Sequence, residues 1–272
     1  MKKIAITVLA KGYPYENMYE SNLIRRNMYL EQTLLSYDKS NYDFIIVHEG
    51  NITKEHQDYI SQYTPNLDII FWNIKDIEPK NAFDDSKNIV NQLCPPNHFT
   101  SNFFVGYKHM CHFWSIDFLE YFKNYKYIVR VDDDCFVDQF DLSILDMMEK
   151  ENILFASPMF QGQDDPLVVN GLEKFREKFT AENSISIKTP FNEIKCPYTN
   201  FMIVDIENIN KNNLIKSFLN EIDKCSCIYS NRWGDLPIWG MILDLFLNKS
   251  EYKEIKEIKY YHGSHNTLIN FN

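Results

Sequence analysis

Tyr127-Ile128-Val129-Arg130-Val131-Asp132-Asp133-Asp134-Cys135-Phe136-Val137 is apolar as far as Val131 and then delivers three carboxylates in a row. A buried strand that ends this way puts its charges at its C-terminal end, where ligands bind in open α/β sheets. Side chains alternate along a strand, so Asp132 and Asp134 are expected on one face and Asp133 on the other. Two carboxylates that close repel each other unless a cation lies between them or one is protonated. Hard oxygen ligands favour Mg²⁺ or Mn²⁺, and such an ion could bridge to a diphosphate and neutralise it as it leaves. The same run also reads as an acidic turn after a buried strand.

The flanking chain alternates strand-like and helix-like segments, the pattern of a mostly parallel sheet flanked by helices. Lys3 to Leu9, Asp43 to His48 and Leu67 to Trp72 read as buried strands. Between them, Ser21 to Ser36 carries an approximate apolar face of Leu23, Ile24, Met28, Leu30 and Leu34, and a second helix opens at Thr53 as its cap. Residues 74 to 104 hold Pro79, Pro95 and Pro96 with little periodicity and are expected as a long loop. A helix from Gly106 to Phe122 then runs into the strand Tyr125 to Val131. Further on, Ile153 to Ser157 and Tyr198 to Asp205 read as strands, and Gly171 to Ala181 and Asp235 to Leu247 as helices.

The chain has 272 residues, 44% of them hydrophobic, which is enough to bury a full core, and we expect one α/β unit over 1–272. Residues 1–135 are expected to form a nucleotide-sugar half and 136–272 an acceptor half. A formal charge of -10 argues against a protein that coats nucleic acid or anionic lipid. The apolar run at the N-terminus is only strand-length with no small-residue cleavage site after it, and no stretch approaches the roughly 20 apolar residues of a membrane span. These features predict a soluble, cytoplasmic protein. The six cysteines (Cys94, Cys111, Cys135, Cys196, Cys225, Cys227) contain no pair of C-x-x-C units and are expected as free thiols.

Two other stretches carry candidate chemistry. Arg232-Trp233-Gly234-Asp235-Leu236-Pro237 puts Asp235 at a helix start, where a carboxylate is also an ordinary cap, and Tyr260-Tyr261-His262 ends a short strand with a histidine that could equally be structural. In Gly106-Tyr107-Lys108-His109-Met110-Cys111-His112-Phe113-Trp114, the residues Tyr107, His109 and His112 could line a sugar site, while Met110, Phe113 and Trp114 read as core.

Taken with Val129 to Asp134 and with Pro197-Tyr198-Thr199-Asn200-Phe201-Met202, these blocks resemble the Kre2/Mnt1-type α-1,2-mannosyltransferases of yeast, glycosyltransferase family 15. The family's blocks are Y-R-H-M-C-R-F, W-R-V-E-P-D, W-S-N-F-E, R-W-G-D-A-P and G-Y-x-H, and their order and spacing match over nearly the whole chain. The resemblance implies a GT-A fold, GDP-mannose as donor, Mn²⁺ (or Mg²⁺) as cofactor, and transfer with retention to a 2-hydroxyl of mannose. It places metal ligands at Asp132 and His262. The E-P-D block stands here as three aspartates, and the family's glutamate of W-S-N-F-E falls on Met202, which is neither nucleophile nor charged. The stem and membrane anchor of the yeast enzymes have no counterpart in this sequence.

The leading expectation is therefore a metal-dependent retaining glycosyltransferase acting on a saccharide or glycoprotein acceptor. Asp132, Asp134 and His262 would hold the metal, Tyr107, His109, Arg130, Asp132 and Asp134 the donor, and Asp235 with Asp134 would act at the reaction centre. Two alternatives stand beside it. One is a sugar-nucleotide-binding protein without catalysis, suggested by Met202. The other is a glycoside hydrolase using a carboxylate pair such as Asp134 and Asp235.

Overall fold

The computed structural model describes residues 4–87 and 103–271. Its twelve strands are β1 Ile4–Leu9, β2 Tyr42–His48, β3 Ile69–Asn73, β4 Tyr127–Val131, β5 Cys135–Gln139, β6 Phe155–Ser157, β7 Phe160–Gln161, β8 Cys196–Pro197, β9 Phe201–Asp205, β10 Tyr252–Glu254, β11 Lys259–His262 and β12 Thr267–Ile269. Seven of them form the main sheet in the order β10-β6-β9-β4-β1-β2-β3. Every neighbouring pair is parallel except the two that β9 makes, with β4 and with β6.

The apolar runs that marked β1, β2 and β4 are continuous because both faces of the sheet are covered. Ala5, Ile45, Val47, Ile128, Met202 and Val204 belong to one core, with Trp114, Phe118, Phe218 and Trp239 packed over them. Their neighbours Ile6, Val8, Phe44, Ile46, Val129, Val131, Phe201 and Ile203 belong to a second core, with Leu30, Leu34, Leu145 and Met148 over them. Period-two alternation thus sorts one sheet into two hydrophobic layers. Arg130, between Val129 and Val131, emerges on the first of these faces, opposite Met202 of β9.

The helices follow the expected places with informative differences. Thr53 caps Lys54–Gln62, its hydroxyl accepting from the His56 N–H. The first helix opens as a π turn over Glu20–Ile24 and continues as an α-helix over Arg25–Leu34. Met28 does not belong to its buried face; it is 43% exposed, and Arg26 and Asn27 are buried instead. The expected single helix from Gly106 is α over Val105–His112, π over Phe113–Asp117 and α again over Phe118–Tyr121. Helices at Ser143–Glu151, Asn213–Cys225 and Cys227–Asn231 have no counterpart in the sequence reading.

The expected loop contains short 3₁₀ turns at Ile74–Asp76 and Asp85–Lys87, and residues 88–102, with Pro95 and Pro96, lie outside the described residues. Cys111, Cys135 and Cys196 are buried free thiols. Cys227 is disulfide-bonded, which corrects the expectation of free thiols throughout; the linear spacing of the cysteines does not announce such a bond. Cys94 lies outside the described residues. No helix among the described residues is long and apolar enough to cross a membrane.

Candidate active site

The strand geometry that would place Asp132 and Asp134 side by side stops at Val131. The Asp132 N–H donates to the Asn200 carbonyl at 2.9 Å, the Cys135 N–H donates back to the Asp132 carbonyl at 3.1 Å, and the chain turns through Asp133 and Asp134 into β5. Each of the three aspartates consequently meets a different partner. The strand ends at Val131, so alternation alone does not fix where these carboxylates go, and their hydrogen-bond partners do.

Asp132 is held in the fork of Arg130, Nε to Oδ1 at 2.8 Å and Nη2 to Oδ2 at 2.9 Å. The third guanidinium nitrogen, Nη1, bonds the carboxylate of Asp235, the first residue of the Asp235–Phe246 helix. The guanidinium also lies 4.5 Å from the ring centre of Trp114, which the π turn carries, and the Trp114 carbonyl accepts from Trp239 Nε1 at 2.9 Å. Arg130 is 2% exposed, so burial opposes its charge, yet Asp132 and Asp235 outweigh that and raise its pKa. Burial raises the pKa of Asp132 against the pull of Arg130.

Asp134 has a different set of partners. β11 pairs antiparallel with β5 and sets His262 opposite Cys135, so His262 Nε2 comes within 3.3 Å of Asp134 Oδ2. The loop after β11 closes over the same carboxylate: Gly263 N–H donates to the Asp134 carbonyl at 2.8 Å and Ser264 N–H to Oδ2 at 3.1 Å. Burial acts to raise Asp134, but hydrogen bonds from His262 and Ser264 outweigh it and hold the group down at about 2. His262 is itself fixed from behind, its Nδ1 lying 2.7 Å from the hydroxyl of Tyr198, which also reaches His265 Nδ1 at 3.0 Å. The His262 and His265 rings stack with centroids 4.5 Å apart.

Asp133 faces the opposite core. Burial, then the charges of Asp132 and Asp134, push it up to about 7, while Arg26 pulls it down. Arg26 is completely buried, donating from Nε to the Val131 carbonyl and from Nη2 to the Thr7 carbonyl, both at 3.1 Å, so it ties the ends of β1 and β4 together beneath the turn.

The Tyr107 to Trp114 stretch is split between two surroundings. Tyr107 accepts from Arg232 Nη2 at 2.6 Å. His109 is buried, bonded to Tyr229 at 3.0 Å and to Asp85 at 3.0 Å. His112 lies between Asp117 and Asp223, each at 2.7 Å. Both histidines have satisfied buried networks that clamp 82–87 against the helices, and neither is grouped with Asp134 and His262. Tyr198, Ser264, His265 and Arg26 were not read from the sequence as site residues; their partners are 64 residues away (Tyr198 and His262) and 105 away (Arg26 and Val131), so no local signal marks them.

Among the described residues, Asp134, Cys135 and His262 have ligand atoms within 4.8 Å of one another. Burial raises the Cys135 thiol well above its ordinary value, which leaves the carboxylate and the imidazole as the working donors. One oxygen and one nitrogen suit a first-row ion such as Mn²⁺ better than Mg²⁺, which prefers oxygen alone. Asp132, expected as a further metal ligand, has both oxygens engaged by Arg130.

The profile of the family described as glycolipid 2-alpha-mannosyltransferase matches residues 29–268. A probable mannosyltransferase, KTR4 of Saccharomyces cerevisiae, is 21% identical over 86% of this chain and 56% of its own length. The probable mannosyltransferase MNT3 of Candida albicans is 26% identical over 58% of this chain and 44% of its own. The chain thus spans about half the length of these curated relatives. The crystal structure of core-mannan synthase A from Aspergillus fumigatus, in an Mn/GDP form, superposes with a TM-score of 0.75 at 20% identity, covering 96% of this chain and 75% of that one. That likeness shows a GT-A fold, and the match over residues 29–268 places the chain in the glycolipid 2-alpha-mannosyltransferase family.

Proposed function

We propose that this chain is a Mn²⁺-dependent, retaining mannosyltransferase that moves mannose from GDP-mannose to the 2-hydroxyl of a saccharide acceptor. The observation that carries the reading is the Asp134–His262 pair at the C-terminal edge of β4, backed by Tyr198. A histidine that ligates through Nε2 must carry its proton on Nδ1, and a hydroxyl placed at Nδ1 favours that tautomer. Tyr198 can accept from His262 Nδ1–H while its own O–H donates to His265 Nδ1. A divalent cation held by Asp134 and His262 would neutralise charge developing on the departing diphosphate.

The remaining residues orient and support. Arg130 holds Asp132 in one rotamer, and Asp235, through Arg130, links the acidic turn to the Asp235–Phe246 helix. Met202, where the resemblance implies a glutamate, is completely buried in the interior of β9 and supplies no nucleophile. The reading therefore assigns transfer to a front-face, ion-pair-like transition state in which stabilisation of the leaving group is the main term. Met202 also favours a second reading, a sugar-nucleotide binder without turnover. The hydrolase alternative fits poorly, because its general acid would be Asp235, whose carboxylate is bonded to the buried Arg130 guanidinium, a partner that favours the ionised form.

The test is incubation with GDP-mannose, methyl α-mannoside and Mn²⁺, with the product read by mass and by the anomeric coupling in NMR. The proposal expects an α-1,2-linked dimannoside that disappears with chelator. GDP binding without any product would establish the second reading, and product formation undiminished by chelator would remove the metal from the mechanism.

A further inference from the structure

β5 and β11 run antiparallel with His262 opposite Cys135, and residues directly opposite in such a pair put their side chains on the same face. The Cys135 thiol and the His262 ring therefore come together at the end of the acidic turn, where Asp134 joins them. Asp134 Oδ2 is 3.3 Å from His262 Nε2, and Cys135 Sγ is 4.0 Å from Asp134 Oδ1. One ligand atom from each of the three residues lies within 4.8 Å of the others. Cys135 and His262 are both buried. The thiol's contacts, to Asp134 and to the Asn200 carbonyl at 3.8 Å, are long ones made by a weak donor.

Sulfur, nitrogen and oxygen in one cluster discriminate between cations. Mn²⁺ is served by the carboxylate and the imidazole, whereas thiolate selects thiophilic ions, and Zn²⁺ stands above Mn²⁺ in affinity for a given donor set. Tetrahedral Zn²⁺, with bonds of about 2.0–2.3 Å, needs its donors about 3.3–3.6 Å apart. The Asp134–His262 separation already matches, and Cys135 Sγ reaches that spacing by a shift on the order of 1 Å. Three protein donors with a fourth position open is the pattern of a zinc site that admits an outside ligand. Tyr198, at His262 Nδ1, fixes the ring for either ion.

We propose that Asp134, Cys135 and His262 form a three-donor site for Zn²⁺, which displaces Mn²⁺ and holds the protein in a form that binds the donor diphosphate weakly. As the sulfur–zinc bond forms, the thiol proton passes to solvent, with no change of oxidation state. Mn²⁺ against one carboxylate keeps net positive charge for a diphosphate, and Zn²⁺ against a carboxylate and a thiolate keeps none. The weakened donor binding rests on the transferase reading; the three-donor site rests on the residues themselves.

The experiment uses the whole chain as wild type, Cys135→Ser and Cys135→Ala, the alanine variant serving if a hydroxyl is not tolerated at this buried position. Zn²⁺ is titrated against Mn²⁺ without nucleotide, free Mn²⁺ being read by electron paramagnetic resonance, and Co²⁺ in place of Zn²⁺ reports sulfur ligation by its thiolate charge-transfer absorption. Expected are displacement of Mn²⁺ by Zn²⁺, a charge-transfer band in wild type that the variants lack, and Zn²⁺ affinity at least tenfold lower in the variants with Mn²⁺ affinity within twofold. Calorimetry with GDP should show affinity at least fivefold lower with Zn²⁺ than with Mn²⁺ in wild type. Failure of Zn²⁺ to displace Mn²⁺, a Co²⁺ band that the variants keep, or Zn²⁺ affinity equal in all three proteins overturns the site. GDP affinity equal with the two cations overturns the weakening of donor binding. Absence of GDP binding with either cation, beside Zn²⁺ binding that depends on Cys135, defeats the transferase reading while upholding the three-donor site.

Discussion

Replacing Arg130 by methionine should unfold the protein more readily than any single carboxylate change around it. Arg130 is 2% exposed and neutralises two carboxylates, those of Asp132 and Asp235, whose side chains are 27% and 10% exposed. Removing the cation from a buried ion cluster leaves uncompensated charge, which costs about 3–5 kcal/mol, whereas replacing all members together is often close to neutral. Asp235 is the more deeply buried partner, and most of the cost should come from it. For a chain of this size, such a loss lowers the melting temperature by about 10 °C. The comparison is thermal and urea unfolding of wild type, Arg130→Met and the triple variant Arg130→Met/Asp132→Asn/Asp235→Asn at neutral pH. The triple variant should recover at least half of what the single one loses. Equal losses in both, or a loss below about 1 kcal/mol in the single variant, would show that the cluster is not held together by charge compensation.

Three further outcomes follow from the same geometry. His262→Ala and Asp134→Asn should each weaken Mn²⁺-dependent GDP binding by tenfold or more in calorimetry while leaving far-UV circular dichroism unchanged; retention of full affinity in both would detach the metal from this pair. His112 is buried, and although burial lowers its pKa, its hydrogen bonds to the carboxylates of Asp117 and Asp223 outweigh that, with Lys87 opposing, so the folded value is raised. A raised histidine pKa stabilises the fold below about pH 6.5 and loses that contribution as pH rises through the folded value, so His112→Gln should be most destabilised relative to wild type at about pH 5–6 and least at about pH 9; a gap independent of pH would contradict this. A Cβ on Gly240 would collide with Cys196 Sγ and lie 3.2 Å from its Cα, so Gly240→Ala should cost about 1–3 kcal/mol despite alanine's better helix propensity, and a stabilised variant in urea unfolding would contradict that packing.

Much of the sheet was legible because buried parallel strands are continuous apolar runs. Ile4–Leu9, Tyr42–His48 and Tyr127–Val131 need no partner to be recognised. The helix Asn213–Cys225 was missed although its buried residues Ile215, Phe218, Leu219 and Ile222 follow helical spacing, and its Asn212 cap accepts from the Leu214 and Ile215 N–H groups. The acidic run was visible as a cluster but its geometry was not. Alternation belongs to a strand, and the Asn200 carbonyl and the Asp132 carbonyl end that strand, so Asp132 goes to Arg130 while Asp134 goes to His262. The nearness of His262 depends on β11 pairing with β5, a contact across more than 120 residues that only the family resemblance suggested. His109 and His112 stand in the sequence as residues that could line a sugar site; in the fold they bond Asp85, Asp117 and Asp223, and no spacing rule announces those partners.

The most direct test of the central claim is calorimetric titration of GDP-mannose into the protein with Mn²⁺ and again with EDTA, with UDP-glucose, UDP-GlcNAc and UDP-galactose as competitors for the assignment. The account predicts saturable binding of GDP-mannose that EDTA abolishes and that the UDP-sugars do not match. Binding of GDP-mannose undiminished by EDTA, or no binding of any nucleotide sugar in either condition, would contradict a cation site at Asp134 and His262 that serves a donor diphosphate.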